Sequence, residues 1–196
     1  MKSRAMILAA IMPACLKTSI GHSIKMYKVI DSNITEIGRF KIHMDHLERN
    51  GKTGPYSYVS MKAGVHVLPI IDGDKVCVLR QYRYPIKDWD LEFPGGAMDE
   101  GDSMEEAARR ELYEETGYIA DELIYLGDIY PSPGYSDEIV HLFAAHCHNK
   151  EKRNLEPLEV IEHRLFSIDE VDKMMDSGEF RFAGAIIAWN RYKKLR

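Results

Sequence analysis

The stretch that most constrains this chain runs from Gly95 to Tyr118, where a glycine pair leads through a short polar loop into a run built to be helical. Ser103 followed by Glu106 is a capping box, and Gly117 is a natural stop just past the last helical residue. The unusual feature is where the acids fall. At roughly 100° per residue, with Met104 at zero, Ala107, Ala108, Glu111 and Glu115 all lie within about 60° of it. Leu112 and Glu114 stand at the two edges of that sector, and Arg109, Arg110 and Thr116 lie elsewhere. Carboxylates crowded on the side that carries alanines and a methionine repel one another and lose solvation, at a cost on the order of several kcal/mol each. Arginine partners or a divalent cation relieve that cost. Glutamates at i and i+4 converge on one point, and hard oxygen ligands suit Mg²⁺ or Mn²⁺. The competing reading is an acidic surface helix whose register is one step off.

The spacing extends beyond the helix. Gly96, five residues, an acid at 102, seven residues, then Arg110-Glu111-Leu112-x-Glu114-Glu115-x-Gly117-Tyr118 closely resembles the signature of the Nudix hydrolases. One place departs: Asp102 stands where the family has Glu, which keeps the charge on a side chain one methylene shorter and bears on how the loop is braced. The resemblance implies a loop-helix-loop in which Glu111 and Glu115, with Glu114 in support, hold Mg²⁺ or Mn²⁺. It also implies that the Gly95 carbonyl faces the metals and that Arg110 and Glu115 belong to the catalytic set.

Further segments resemble the ADP-ribose pyrophosphatase branch of that family. They are Gln81-Tyr82-Arg83-Tyr84-Pro85, Leu91-Glu92-Phe93-Pro94-Gly95-Gly96, Pro133 within Ser132-Pro133-Gly134-Tyr135-Ser136-Asp137-Glu138, and Glu159-Val160-Ile161-Glu162. By position, the resemblance assigns Arg83 to the diphosphate or adenine side of a substrate, Glu92 to the base, Glu138 to the terminal ribose, and Pro133 to the shape of its loop. Glu159, with Glu156 as the nearby alternative, would help activate water. The implied reaction is metal-dependent hydrolysis of ADP-ribose or a related nucleoside diphosphate sugar to a nucleoside monophosphate and a sugar phosphate. GDP-mannose is a rival substrate, and a Nudix-fold sensor that binds without cleaving is a rival function. Tyr27, Phe40, Tyr56 and Tyr58 have the chemistry to stack an adenine, but strand aromatics usually pack a core or an interface, so none is assigned that role.

Among 196 residues, 45% hydrophobic and 29% charged, there is room for one full core and an added sub-domain. A net charge of -5 argues against general binding to nucleic acid or anionic membranes, so a polyanionic substrate needs local cations or metal. Cys15, Cys77 and Cys147 are scattered and odd in number, which points to a reducing, cytoplasmic setting. His146-Cys147-His148 tempts as a metal cluster, but strand alternation sends Cys147 to the face opposite the histidines. Gly51-Lys52-Thr53 lacks the upstream glycine of a phosphate-binding loop. Residues 1–25 mimic a short signal sequence interrupted by Pro13, too short to span a bilayer; an over-long gene start ahead of Met26 is the alternative, and a leader without function is expected.

The pattern along the chain predicts a short strand pair from Tyr27 to about Lys41, turned at Asp31-Ser32-Asn33, then an irregular polar segment from His43 to Asn50 and a loop to Pro55. Strands are predicted over 56–60, 64–71, 75–81, 89–93, 124–130, 139–146 and 161–166, with helices over 167–177 and 183–195. That order describes an α+β fold. The resemblance makes it a Nudix fold, an α/β/α sandwich on a mixed sheet, over about residues 61–196. Residues 26–60 would be an extra N-terminal antiparallel sheet, and in this branch such a sheet is commonly exchanged in a homodimer.

Overall fold

The computed structural model describes residues 26–196, and the reading of residues 1–25 as a leader falls outside them. The chain begins with three strands, β1 (Lys28–Ile37), β2 (Phe40–Arg49) and β3 (Lys52–Ser60), joined antiparallel in the order β1-β2-β3. Two expectations are corrected here. The turn predicted at Asp31-Ser32-Asn33 lies inside β1, where Ser32 pairs with Asp45 and donates to its Oδ1 at 2.6 Å. The chain reverses instead at Gly38-Arg39, with Gly38 at φ +58°, and the segment predicted to be irregular from His43 onward is the body of β2. Every residue of β1 is exposed, so no buried face imposes the apolar alternation by which a strand is recognised.

The second sheet holds β4 (Gly64–Ile71), β5 (Lys75–Arg83), β6 (Asp88–Glu92), β7 (Gly95–Ala97), β8 (Tyr118–Ile129), β9 (Val140–Lys150) and β10 (Ile161–Ser167). Its path is β10-β5-β4-β9-β8, with β4 and β9 parallel and the other pairs antiparallel. β4 and β5 stay paired only at Ile70–Val76 and Ile71–Lys75. Beyond that point they part, β6 pairing with β5 and β7 with β4. This splay inserts the segment from Glu92 to Gly96 into the middle of the sheet.

Helix α1 (Met104–Thr116) covers one face, where Ala107, Ala108 and Leu112 pack with Val65, Val67 and Phe143. Helices α2 (Ile168–Asp176) and α3 (Ala183–Lys193) cover the other, where Val171, Ala185 and Trp189 pack with Leu68, Ile70 and Leu142. Odd and even positions of β4 therefore feed different cores. All eight of its residues are buried, which is why it reads as a continuous apolar run. The result is an α/β/α sandwich on a mixed sheet. The N-terminal sheet joins it through β3, where the Val59 N–H donates to Tyr135 O at 2.8 Å and the Met61 N–H to Asp137 Oδ1 at 3.0 Å.

Candidate active site

Helix α1 starts and stops where its caps dictate. The Ser103 side chain accepts from the Glu106 N–H at 3.2 Å, and the Glu106 carboxylate accepts from the Ser103 N–H at 2.9 Å. At the other end Gly117 takes φ +79° and its N–H donates to Tyr113 O. These caps fix the helical register, and the register turns the acids inward: Glu111 is 9% exposed and Glu115 3%. The alternative of a solvated acidic face does not hold.

A glycine meets each buried carboxylate, in two different ways. A Cβ at Gly96 would lie 2.6–2.7 Å from the carboxyl atoms of Glu111, so only a residue without a side chain allows that approach. Gly95 donates its N–H to Glu115 Oε2 at 2.9 Å, a contact through the amide, and a Cβ there would strike Val65 O and the His66 ring. Arg110 ties helix to loop. Its Nη1 donates to Glu111 Oε1 at 2.7 Å and Glu114 Oε2 at 3.3 Å, and its Nη2 to Ala97 O at 3.0 Å. Asp102 lies 3.5 Å from the same Nη2. The shorter acid at this position thus still reaches the arginine that braces the loop.

Arg83 and Glu92 meet across the β5–β6 hairpin. Arg83 Nε donates to Glu92 Oε1 at 2.7 Å and Nη2 to Oε2 at 2.5 Å, a two-pronged pair in which Glu92 is fully buried and Arg83 partly exposed. Those bonds hold the guanidinium above its ordinary pKa, and the charge of Glu115 adds to the effect. Burial pushes Glu111 up, against the pull of Arg110, and Glu114 and Glu159 push it further. Glu115 is raised well above the usual carboxylate range, first by burial, with Glu159 and Glu111 adding to it against the Gly95 N–H. Glu159 thus stands within electrostatic reach of both inward acids, although its carboxylate accepts from the Glu156 N–H of its own loop at 2.9 Å.

The structure brings Arg83, Glu92, Gly95, Arg110, Glu111, Glu114 and Glu115 together, with Glu159 within electrostatic reach of Glu111 and Glu115. Pro133 and Glu138 lie in the loop between β8 and β9, against the N-terminal sheet. Pro133 lines a pocket of about 330 Å³ with Tyr56, Tyr58 and Tyr130. Burial raises the Glu138 carboxyl, opposed by Arg39 at the tip of the β1–β2 hairpin. A cavity of about 870 Å³ opens instead on the face of α2 beside β5 and β10 and contains none of these residues. The site is defined by its chemistry, not by hollow volume.

Sequence reasoning missed His66. It lies on β4 behind Gly95, stacks on Phe182 with ring centroids 4.7 Å apart, and leaves Nδ1 buried without a partner. Burial lowers its pKa to about 4, so its ring is neutral. The one signal was a lone histidine inside the apolar run Val65–Ile71.

Residues 61–185 match the NUDIX domain profile, and the chain belongs to the Nudix hydrolase family. It is 36% identical over 132 residues to an ADP-ribose pyrophosphatase of Bacillus subtilis, covering 66% of this chain and 71% of that protein. It is also 36% identical over 106 residues to a methanol dehydrogenase activator of Bacillus methanolicus, covering 54% of this chain but only 57% of that one. In fold it is similar to a crystal structure of an ADP compounds hydrolase, with a TM-score of 0.78, 23% identity, and coverage of 89% of this chain and 96% of that one.

The donor set suits the divalent metal on which Nudix hydrolases generally depend. Glu111, Glu114, Glu115 and Glu159 supply only hard oxygens, and the absent side chain of Gly96 leaves open the approach to Glu111. Among the described residues no three acidic, histidine or cysteine side chains are already gathered at ligating geometry. Glu111 and Glu114 are bonded to Arg110, and Glu115 to the Gly95 amide.

Proposed function

We propose that this protein hydrolyses the pyrophosphate bond of ADP-ribose or a related nucleoside diphosphate sugar with Mg²⁺, releasing a nucleoside monophosphate and a sugar phosphate. One observation carries the reading: two carboxylates of one helix are buried, Glu111 against the bare backbone of Gly96 and Glu115 on the Gly95 amide, with the Arg83 guanidinium fixed by Glu92 nearby. Glu111 and Glu115, supported by Glu114, would hold the cation. When bound, it neutralises phosphoryl oxygens and lowers the pKa of a water.

The protein's own groups do the rest. Arg83 has five N–H donors and gives two to Glu92, so three remain to take diphosphate oxygens in a fixed plane. Glu92, assigned by resemblance to the base, bonds the fork with both of its oxygens and in this reading also sets the plane of Arg83. Arg110 keeps Glu111, Glu114 and the glycine loop in register. Glu159, released from the Glu156 N–H, takes the proton from water as its oxygen attacks phosphorus and the bridging P–O bond breaks. Glu138 and Pro133 belong to the wall that receives the sugar or base, beside the tyrosines of β3.

We also assign residues 26–60 to a homodimer contact. Val29, Ile30, Ile34 and Ile37 of β1 and Met44 of β2 are all more than half exposed, which an apolar partner surface would relieve. A reducing, cytoplasmic setting suits the two buried free thiols, Cys77 and Cys147. No helix among the described residues is long and apolar enough to cross a membrane.

The test is a side-by-side panel of nucleoside diphosphate sugars, including ADP-ribose and GDP-mannose, with and without Mg²⁺. AMP should appear from ADP-ribose, and Glu115→Gln should lower the rate on the order of a hundred- to a thousandfold. Tight binding of ADP-ribose without AMP would sink the hydrolytic reading and favour a sensor.

A further inference from the structure

Two basic side chains and a histidine, none of them used by the hydrolytic reading, gather where β9 and β10 meet the loop between them. Lys150 closes β9, Arg153 stands in the loop that follows, and His163 lies in β10. Lys150 Nζ is 2.7 Å from His163 Nε2, and Arg153 Nη1 is 3.2 Å from His163 Nδ1. A neutral imidazole has one N–H and one bare nitrogen, so only one of the two cations can donate to it. The other faces a ring N–H. Burial and the two neighbouring cations push the His163 pKa down, which keeps the ring neutral.

Charge gives the same answer. Among the described residues, neither Lys150 nor Arg153 has a carboxylate within 4.0 Å. Glu151, between them in sequence, is bonded to the Tyr113 hydroxyl at 3.4 Å. Arg153 is half-buried and held by Ile161 O at 3.1 Å, and Lys150 Nζ lies 4.8 Å from the centre of the Tyr118 ring. Both cations are therefore positioned by structure, and what the cluster lacks is an acceptor. A guanidinium fork and an ammonium, held on either side of one imidazole and without a carboxylate, suit a phosphate oxyanion.

We propose that Lys150, Arg153 and His163 form a binding site for a phosphate group, supplied as inorganic phosphate or as a phosphate monoester. The site is coupled to the catalytic helix through backbone. The Glu151 N–H donates to Gly117 O at 2.8 Å, and the Asn154 N–H to Glu114 O at 2.9 Å. Occupancy would link β9, the loop over residues 151–160 and β10 just ahead of Glu159, so a bound phosphate steadies that loop. None of this depends on which substrate the protein cleaves.

The full-length protein is titrated separately with inorganic phosphate and ribose 5-phosphate, in chelator, where the acids of α1 repel anions. Heat of binding and amide hydrogen exchange over residues 151–163 are recorded. Saturable binding with slowed exchange in the loop is expected, and Lys150→Gln should weaken it about tenfold, the value of one charge-assisted hydrogen bond. Lys152→Gln removes the same charge from an exposed neighbour and should leave binding as it was. Arg153→Lys, which keeps charge but loses the fork, should bind more weakly than the parent. Binding of only one titrant supports the site and identifies its source. Undiminished binding by Lys150→Gln, equal weakening by Lys152→Gln, or no saturable binding of either titrant overturns the proposal.

Discussion

β1 and β4 are strands of similar length with opposite surroundings. Every residue of β1 is exposed, and every residue of β4 is buried. β1 is an edge strand paired only with β2, whereas β4 is central and paired on both sides, with β9 on one and β5 and β7 on the other. Side-chain cover separates them further: β4 lies between α1 and the α2–α3 pair, whereas among the described residues no helix packs with β1 or β2 in the apolar cores. The closed sheet positions the Glu92–Gly96 segment against the acids of α1. The open sheet offers apolar surface that can be satisfied only from outside it, which is why it is assigned to a second subunit.

Several measurements would sharpen or break this contrast, and the largest effect is expected in the closed sheet. Leu68→Ala removes a fully buried side chain of β4 and should cost about 2–5 kcal/mol in urea unfolding. Gly96→Ala should leave the fold in place yet cut turnover about a hundredfold, because the new methyl displaces the Glu111 carboxylate. An unimpaired Gly96→Ala enzyme would remove Glu111 from the chemistry.

The closed sheet should also carry a pH signature through His66. The ring stays neutral in the fold down to about pH 4, while in the unfolded chain it takes up a proton near its ordinary 6.5. Between those values the unfolded state binds more protons, so stability falls as pH falls, by roughly 2 kcal/mol from pH 7 to pH 5. Glu111 and Glu115 act in the opposite sense. Their raised carboxyls favour the fold at low pH and lose that contribution as pH rises above 4.5. The difference between the parent and His66→Gln profiles isolates the imidazole, and identical slopes would mean it is not buried neutral.

The smallest effect belongs to the open sheet. Ile34→Ala in β1 should change unfolding by no more than about 0.5 kcal/mol in dilute protein. It should nevertheless shift the light-scattering mass toward a monomer. A cost rivalling that of Leu68→Ala would show that β1 is covered within a single chain.

The same contrast explains what was legible in the sequence. β4 announced itself as an unbroken apolar run, and α1 through its caps and the period of its alanines and acids. β2 did not, because His43, Asp45, Glu48 and Arg49 belong to a sheet whose faces are largely wet, and period-two patterning requires a dry side. Within the site, Glu111 and Glu115 could be placed on one face because one helix carries both. The Arg83–Glu92 bond was out of reach, since nothing local fixes the register that brings residues nine apart into contact across a hairpin. Lys150, Arg153 and His163 come from two strands and a loop, so no single periodicity could have grouped them.

Asn154 is pinned to the helix at Glu114 O, and Glu159 follows five residues later. Such a segment extends at most about 17 Å, so the carboxylate travels on a short tether whose anchor is the catalytic helix itself. If Glu159 takes the water's proton as proposed, its reach is set by that tether, and a scissile bond seated beyond it would go uncut however tightly its molecule were held.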